Sequence, residues 1–218
     1  MVSTIDHPNI EISKDTFKRI VVGISGASGI LYGFRLLQQL KSMPVETHLV
    51  ISKASQQTRQ HETDITAKEF LELADYSYSN QDFSASIASG SFQTLGMIIV
   101  PCSVKTLAEI ANGTANSLLT RAADVTLKEQ RKLVLMVRES PLHLGHLRNM
   151  VTATELGAII VPPMPALYNH PQSIDDIIEH SIGRALDLFG FYPKFVKRWD
   201  KTTIISANTP QMSSDQMR

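Results

Sequence analysis

Five short apolar runs, each ending in a small reactive set of polar residues, constrain this chain more than anything else in it. Val21–Ile24 leads into Ser25-Gly26-Ala27-Ser28-Gly29, and His48–Ile51 into Ser52-Lys53. Met97–Val100 leads into Pro101-Cys102-Ser103-Val104-Lys105-Thr106, and Leu133–Val137 into Arg138-Glu139. Ala158–Val161 ends on Pro162-Pro163, with Tyr168 just beyond. Strand-like runs alternating with helix-length segments predict an α/β, doubly wound parallel sheet with helices on both faces. All the carboxyl ends of such strands share one edge, where ligands bind at a switch in strand order. The polar sets therefore predict hydroxyls, cations and a carboxylate gathered around a phosphate-bearing ligand.

The helices follow from spacing and caps. Leu31–Leu40 carries Leu36, Leu37 and Leu40 on one face. Ser52 caps a helix through Gln60, and Ser103 caps one through Ala111, where Asn112-Gly113 stops it. Further helices are expected over Thr66–Ala74, Thr120–Gln130, His143–Leu156 (closed by Gly157) and Ile174–Leu188 (opened by Ser173 and Asp176, ended by Gly190). Ala85–Ser91 reads as a loop of small residues with no evident structural need.

Bulk properties narrow the function. With 218 residues, 43% of them hydrophobic, the chain can bury one substantial core. Residues 1–18 read as a polar leader, 19–192 as one α/β domain and 193–218 as a tail. Basic and acidic residues balance at 21 each and no basic run appears, so no nucleic-acid partner is expected. No apolar stretch approaches the roughly 20 residues of a membrane span. One cysteine, Cys102, excludes an internal disulfide, and the leader carries Asp6, Glu11 and Asp15 without an apolar core. A cytoplasmic protein is the expectation.

The candidate chemistry carries structural alternatives. The turn 25–29 offers amides at a helix N-terminus, a natural anion site, although a glycine turn also serves backbone geometry alone. It is not G-x-G-x-x-G, and Ser52-Lys53 stand where a ribose-binding acid would follow the second run, which favours a mononucleotide or another phosphate over NAD. The stretch Ser103–Thr106 repeats the arrangement, though Ser and Thr are also ordinary caps. Arg121, Lys128, Arg138 and Arg184 are the candidate cations. Arg121 and Lys128 share a helix face, and either also suits a solvated surface. Arg138 follows five apolar residues directly and so enters the sheet edge; Glu139 beside it can position or protonate a leaving phosphate, or pair with an arginine. Glu62 reads either as a proton acceptor or as a surface carboxylate. His143 and His146 lack a third ligand, so no metal is expected. Cys102 has no partner base and reads as a small buried residue.

Taken together, the segments resemble the flavin prenyltransferase family, the UbiX-like proteins formerly described as aromatic-acid (3-polyprenyl-4-hydroxybenzoate) decarboxylase subunits. The stretches are GISGASG (23–29), ISKAS (51–55), ETD (62–64), ASGSF (88–92), PCSVKTL (101–107), LLTRAADVTLKEQRKLVLMVRE (118–139), HLGHLRNM (143–150) and PPMPALYNHPQS (162–173). The resemblance implies a Rossmann-like or flavodoxin-like sheet and a homo-oligomer, a dodecamer. It implies transfer of a dimethylallyl group from dimethylallyl phosphate to N5 and C6 of reduced FMN without a metal. The prenylated FMN then passes to a UbiD-type decarboxylase, in ubiquinone synthesis or aromatic-acid decarboxylation. By position, Gly26, Ala27, Ser28, Ser52, Ser103, Val104, Lys105, Thr106, Arg121 and Arg138 are expected to bind FMN. Lys128, Arg138, Glu139, Tyr168 and Arg184 are expected to hold the donor phosphate. Ser28 and Glu62 are expected to relay protons, with Lys128 and Glu139 also counted as catalytic, and Trp199 in the tail to close the site. The chain departs from some relatives at Phe92-Gln93-Thr94-Leu95, where they carry an asparagine. Two other readings use the same fold or cofactor. One is an FMN-binding cysteine decarboxylase, whose PxMNxxMW-type loop is absent here; the other is a flavin carrier, which needs no clamp for a second phosphate.

Overall fold

The computed structural model describes residues 18–198; residues 1–17 and 199–218, Trp199 among them, lie outside the described residues. In chain order the elements are β1 (Arg19–Ile24), α1 (Ile30–Lys41), β2 (Glu46–Ile51), α2 (Lys53–Glu62), α3 (Ala67–Leu71), β3 (Tyr76–Tyr78) and β4 (Gly96–Cys102). There follow α4 (Val104–Ala111), α5 (Leu118–Lys128), β5 (Lys132–Val137), α6 (Leu144–Glu155), β6 (Ala158–Ile160) and α7 (Ile174–Asp187).

All six strands are parallel, in the order β3-β2-β1-β4-β5-β6. This is the Rossmann order. Without the three-residue edge strand β3, the remaining five run in the flavodoxin order, so both expected descriptions meet in one sheet. The order reverses between β1 and β4, which opens a crevice beyond their carboxyl ends.

Successive strand residues face opposite sides, and both sides are covered. Val21, Val50, Met97, Ile99, Leu133 and Leu135 pack with Leu107, Leu119, Ala122 and Ala153 of α4, α5 and α6. Ile20, Val22, Leu49, Ile98, Val134 and Met136 pack with Leu36, Leu37 and Leu40 of α1 and Ile178, Ile182 and Leu186 of α7. Burial on both faces is why the runs read as unbroken apolar stretches rather than as alternation. Each of the Val, Leu, Ile and Met side chains among them contributes about 1.5–3 kcal/mol on leaving water.

Local signals set the ends. Ser52, Ser103, Ser117 and Ser173 each accept a backbone N–H three residues on. α5 begins at Leu118 rather than Thr120 because Ser117 is the residue that caps it. Gly113, Gly157 and Gly190 take positive φ and end α4, α6 and α7. α6 differs from the other helices: Ala153 is its one buried residue, while Leu144, Leu147 and Val151 are 60%, 45% and 58% exposed. Three-to-four spacing puts those three on one unpartnered apolar stripe.

Candidate active site

The crevice at the strand-order switch is framed by the turns after β1 and β4, and Ser25 joins them. Its buried hydroxyl donates to the Pro101 carbonyl at 3.0 Å and accepts the Ser103 N–H at 2.7 Å. Gly26 follows, where a Cβ would stand 2.5 Å from Ala54 Cβ, so glycine is what lets this turn lie against α2. Above the crevice lies a cavity of about 560 Å³ lined by Gly26, Ala27, Ser28, Ser52, Ser103, Val104, Lys105, Thr106, Arg138 and Glu139 among others. Its volume is that of a cofactor-sized ligand site.

The first turns of α2 and α4 line it, the turn 25–29 leads from it into α1, and the three helix starts are finished differently. The Ser52 hydroxyl accepts the Ser55 N–H at 3.2 Å, and the Ser103 hydroxyl accepts the Thr106 N–H at 3.2 Å. α1 has no side-chain cap of its own, because its N-cap is Gly29 at φ 100°. Glu62, the last residue of α2, takes that place: its Oε2 accepts the N–H of Gly29 at 2.9 Å and of Ile30 at 3.0 Å. Partial desolvation pushes the Glu62 carboxyl up, but hydrogen bonds from Ser28, Ile30 and Gly29 and the Arg138 charge outweigh it and hold the group below its ordinary value. Glu62 is therefore an anion at neutral pH, in contact with Ser28 and within the field of Arg138.

Other expected residues stand elsewhere on the single chain. Arg121 donates from Nε to the Ala88 carbonyl at 3.3 Å and pairs with Asp124 at 2.6 Å. Lys128, at the far end of α5, is hydrogen-bonded to Glu129 beside Gly90. Tyr168 meets His180 at 3.3 Å, and Arg184 pairs with Asp187 at 2.5 Å. None of these four lines the cavity. Trp199 lies outside the described residues.

The sequence reading missed Asn80, Gln81, Asn116 and Ser117, which also line the cavity. The cap pattern Ser117-x-x-Thr120 was the signal available for Ser117. Asn80 and Asn116 sit in irregular loops with no periodic cue; Asn80 binds the Leu118 and Leu119 N–H groups through its carbonyl and Oδ1. The small-residue loop has a structural role as well: Tyr78 links His48 (2.8 Å) to Ser86 (3.0 Å) beneath it, while Arg131 holds the Gly90 and Phe92 carbonyls at 2.7 and 2.8 Å. His143 and His146 stack with ring centroids 3.5 Å apart, and no group of three or more His, Cys, Asp and Glu suited to a metal ion occurs among the described residues. Cys102 is fully buried, which pushes its thiol far up.

A family model described as Flavoprotein matches residues 9–185. Flavin prenyltransferase UbiX of Escherichia coli K12 is 58% identical over 173 residues, covering 79% of this chain and 92% of that relative. The chain belongs to the UbiX-like flavin prenyltransferase family. Two solved UbiX-like structures superpose closely. A dodecameric FMN-dependent UbiX-like decarboxylase from Escherichia coli O157:H7 is 51% identical with a TM-score of 0.82, covering 84% of this chain and 99% of that one. AnUbiX in complex with FMN and dimethylallyl pyrophosphate is 48% identical with a TM-score of 0.83, covering 84% and 97%. No described helix of this UbiX-like chain is long and apolar enough to cross a membrane.

Proposed function

We propose that the chain joins a dimethylallyl group from dimethylallyl phosphate to FMN, and that the cavity at the strand-order switch holds the flavin. The observation that carries this reading is a crevice of cofactor size lined by two helix N-termini and Arg138, with an anionic Glu62 held against the lining residue Ser28. The donors fit a flavin phosphate: the amides of the α2 and α4 first turns, the hydroxyls of Ser52, Ser103 and Thr106, and the Lys105 ammonium, which also pairs with Glu109 at 2.7 Å. Gly26 and Ala27 give it a close backbone approach. Bound reduced FMN would supply the N5 and C6 atoms that take the allyl group.

The chain's own residues have the remaining tasks. The Arg138 backbone N–H donates to the Cys102 carbonyl at 3.1 Å, while its side chain lines the cavity with no hydrogen-bonded or ion-paired partner among the described residues. The guanidinium donors therefore stand ready for anionic oxygen, and Glu139 beside it can steer or protonate the leaving phosphate. Glu62, with Ser28 bridging, is placed to take up the protons that leave N5 and C6 and to return one to the central alkene carbon of the donor, which must gain a hydrogen for both bonds to form; the remaining proton goes to the leaving phosphate. The rest of the phosphate clamp, Lys128, Tyr168 and Arg184, and the flavin-binding Arg121 come from neighbouring copies in a homo-oligomer. Support for that step lies in their placement off the cavity, the exposed Leu144, Leu147 and Val151 stripe, and the dodecameric relative. Positive side chains then carry the charge that a metal carries in other phosphate-leaving reactions. On this reading residues 19–192 form the flavin-binding domain in the cytoplasm, and a UbiD-type decarboxylase receives the product.

Purified protein incubated with reduced FMN and dimethylallyl phosphate in the presence of a chelator tests the reading. Mass spectrometry of the released flavin should show the gain of one C5 unit. Unchanged FMN would overturn the transferase in favour of a carrier.

A further inference from the structure

One charged cluster outside the cavity is assembled from α7 and the segment that follows it. Asp187, the last residue of α7, has a side chain only 9% exposed. Its Oδ2 accepts from Arg184 Nη1 at 2.5 Å and from Arg198 Nη1 at 2.9 Å, and its Oδ1 accepts from Arg198 Nη2 at 2.7 Å. Arg198 reaches Asp187 because the preceding residues are seated on the helix. Val196 is buried, and a Cβ at Gly183 would stand 2.1 Å from Val196 Cγ2, so only glycine admits the segment at that depth. The Tyr192 ring lies 5.6 Å from the same guanidinium. Hydrogen bonds from Arg198 first, and the charges of both arginines, hold the Asp187 carboxyl below its ordinary range.

Two guanidiniums on one carboxylate leave a net positive charge, and Asp187 engages one terminal nitrogen of Arg184. The others keep their donors for an incoming anion. A long exposed arginine loses conformational freedom when it grips a phosphate, and a side chain already oriented loses less. Without Arg198, the Asp187 carboxylate would turn wholly to Arg184 and repel a phosphate beside it. We infer that Asp187 is the positioning residue for Arg184 in recognising the phosphate of the allylic donor, and that Arg198 sets Asp187 for that task. Docking of the 193–198 segment and donor recognition are thereby coupled through one carboxylate. This rests on the reading of Arg184 as part of the donor clamp.

The experiment uses the full-length protein loaded with FMN. Binding of dimethylallyl phosphate is followed by calorimetry and turnover by flavin mass, in Asp187→Asn, Arg198→Lys, Arg198→Gln and Arg184→Gln variants. Asp187→Asn should weaken donor binding and raise donor KM by about tenfold, with kcat and FMN affinity near wild type. Arg198→Gln should do the same and Arg198→Lys should restore part of it. In an Arg184→Gln background, Asp187→Asn should add no further loss. A loss of thermal stability with unchanged donor affinity, or a full Asp187→Asn effect in the Arg184→Gln background, would overturn the inference. Wild-type donor affinity in Arg184→Gln itself would remove Arg184 from the clamp and this role with it. Because the binding arm needs no product, a protein that binds the donor but forms no prenylated flavin would instead refute the transferase reading.

Discussion

The turns after β1 and β4 do the same job by different means. The β4 turn is closed on itself: Ser103, in the α4 cap position, satisfies an α4 amide within three residues. The β1 turn ends on a glycine with no side chain, and a carboxylate 33 residues away caps α1 instead. A self-capped turn can be read from a short stretch of sequence, whereas a turn capped from another helix makes one residue both a structural partner and a reactive group. Glu62 is that residue, and its structural and chemical readings are not alternatives but two uses of the same oxygens.

The most severe break in this comparison is at Glu62. Glu62→Gln keeps an acceptor oxygen for Gly29 and Ile30 but loses the base, so turnover should fall by about 10²–10⁴-fold while FMN affinity stays close to wild type. A parallel fall in FMN affinity, measured by fluorescence titration, would show a binding role instead. Next is Gly26→Val, whose Cβ would meet Ala54 at 2.5 Å. Displacement of the turn from α2 should cost about 1–3 kcal/mol of stability in denaturant unfolding and abolish tight flavin binding. Smaller still, Ser52→Ala and Ser103→Ala each remove a cap worth about 1 kcal/mol, lowering Tm by about 2–4 °C. If either hydroxyl also holds the flavin, its variant loses FMN affinity beyond that matched drop in stability. The smallest effect is on acid stability. Because the Glu62 carboxyl is depressed on folding, its contribution is complete above its ordinary value of 4.5 and fades as pH falls through the lower folded value. Glu62→Gln should therefore show a shallower acid loss below about pH 4.5 than the wild-type protein, as measured by denaturant midpoints.

Legibility followed the physics of each part. The buried strands announced themselves because both faces are covered, so their apolar runs are nearly unbroken, and β4 extends past the Met97–Val100 run at both ends, from Gly96 through Pro101 and Cys102. Edge strand β3, Tyr-Ser-Tyr, is largely exposed and three residues long, so it left no run to detect. Site residues on strand ends and helix starts were legible from position; Asn80, Gln81 and Asn116 were not, because the loops that bring them to the cavity have no period. Arg121, Lys128 and Arg184 stand out as cations and Tyr168 as a residue beyond a strand end, their roles come from resemblance, and spacing alone could not have said that the single chain holds them away from the crevice. The exposed stripe on α6 is a related case: its spacing spelled a helix, but not that its apolar side would face away from its own sheet.

The single hydroxyl of Ser25 has a consequence for tolerance. By bonding both the Pro101 carbonyl and the Ser103 amide, it rivets the floor of the crevice to one fixed gauge. The roof hangs instead from the Asn80-Gln81 and Asn116-Ser117 loops, which no ladder restrains. Sequence drift in those loops can retune what fits above, while the bed beneath keeps its width.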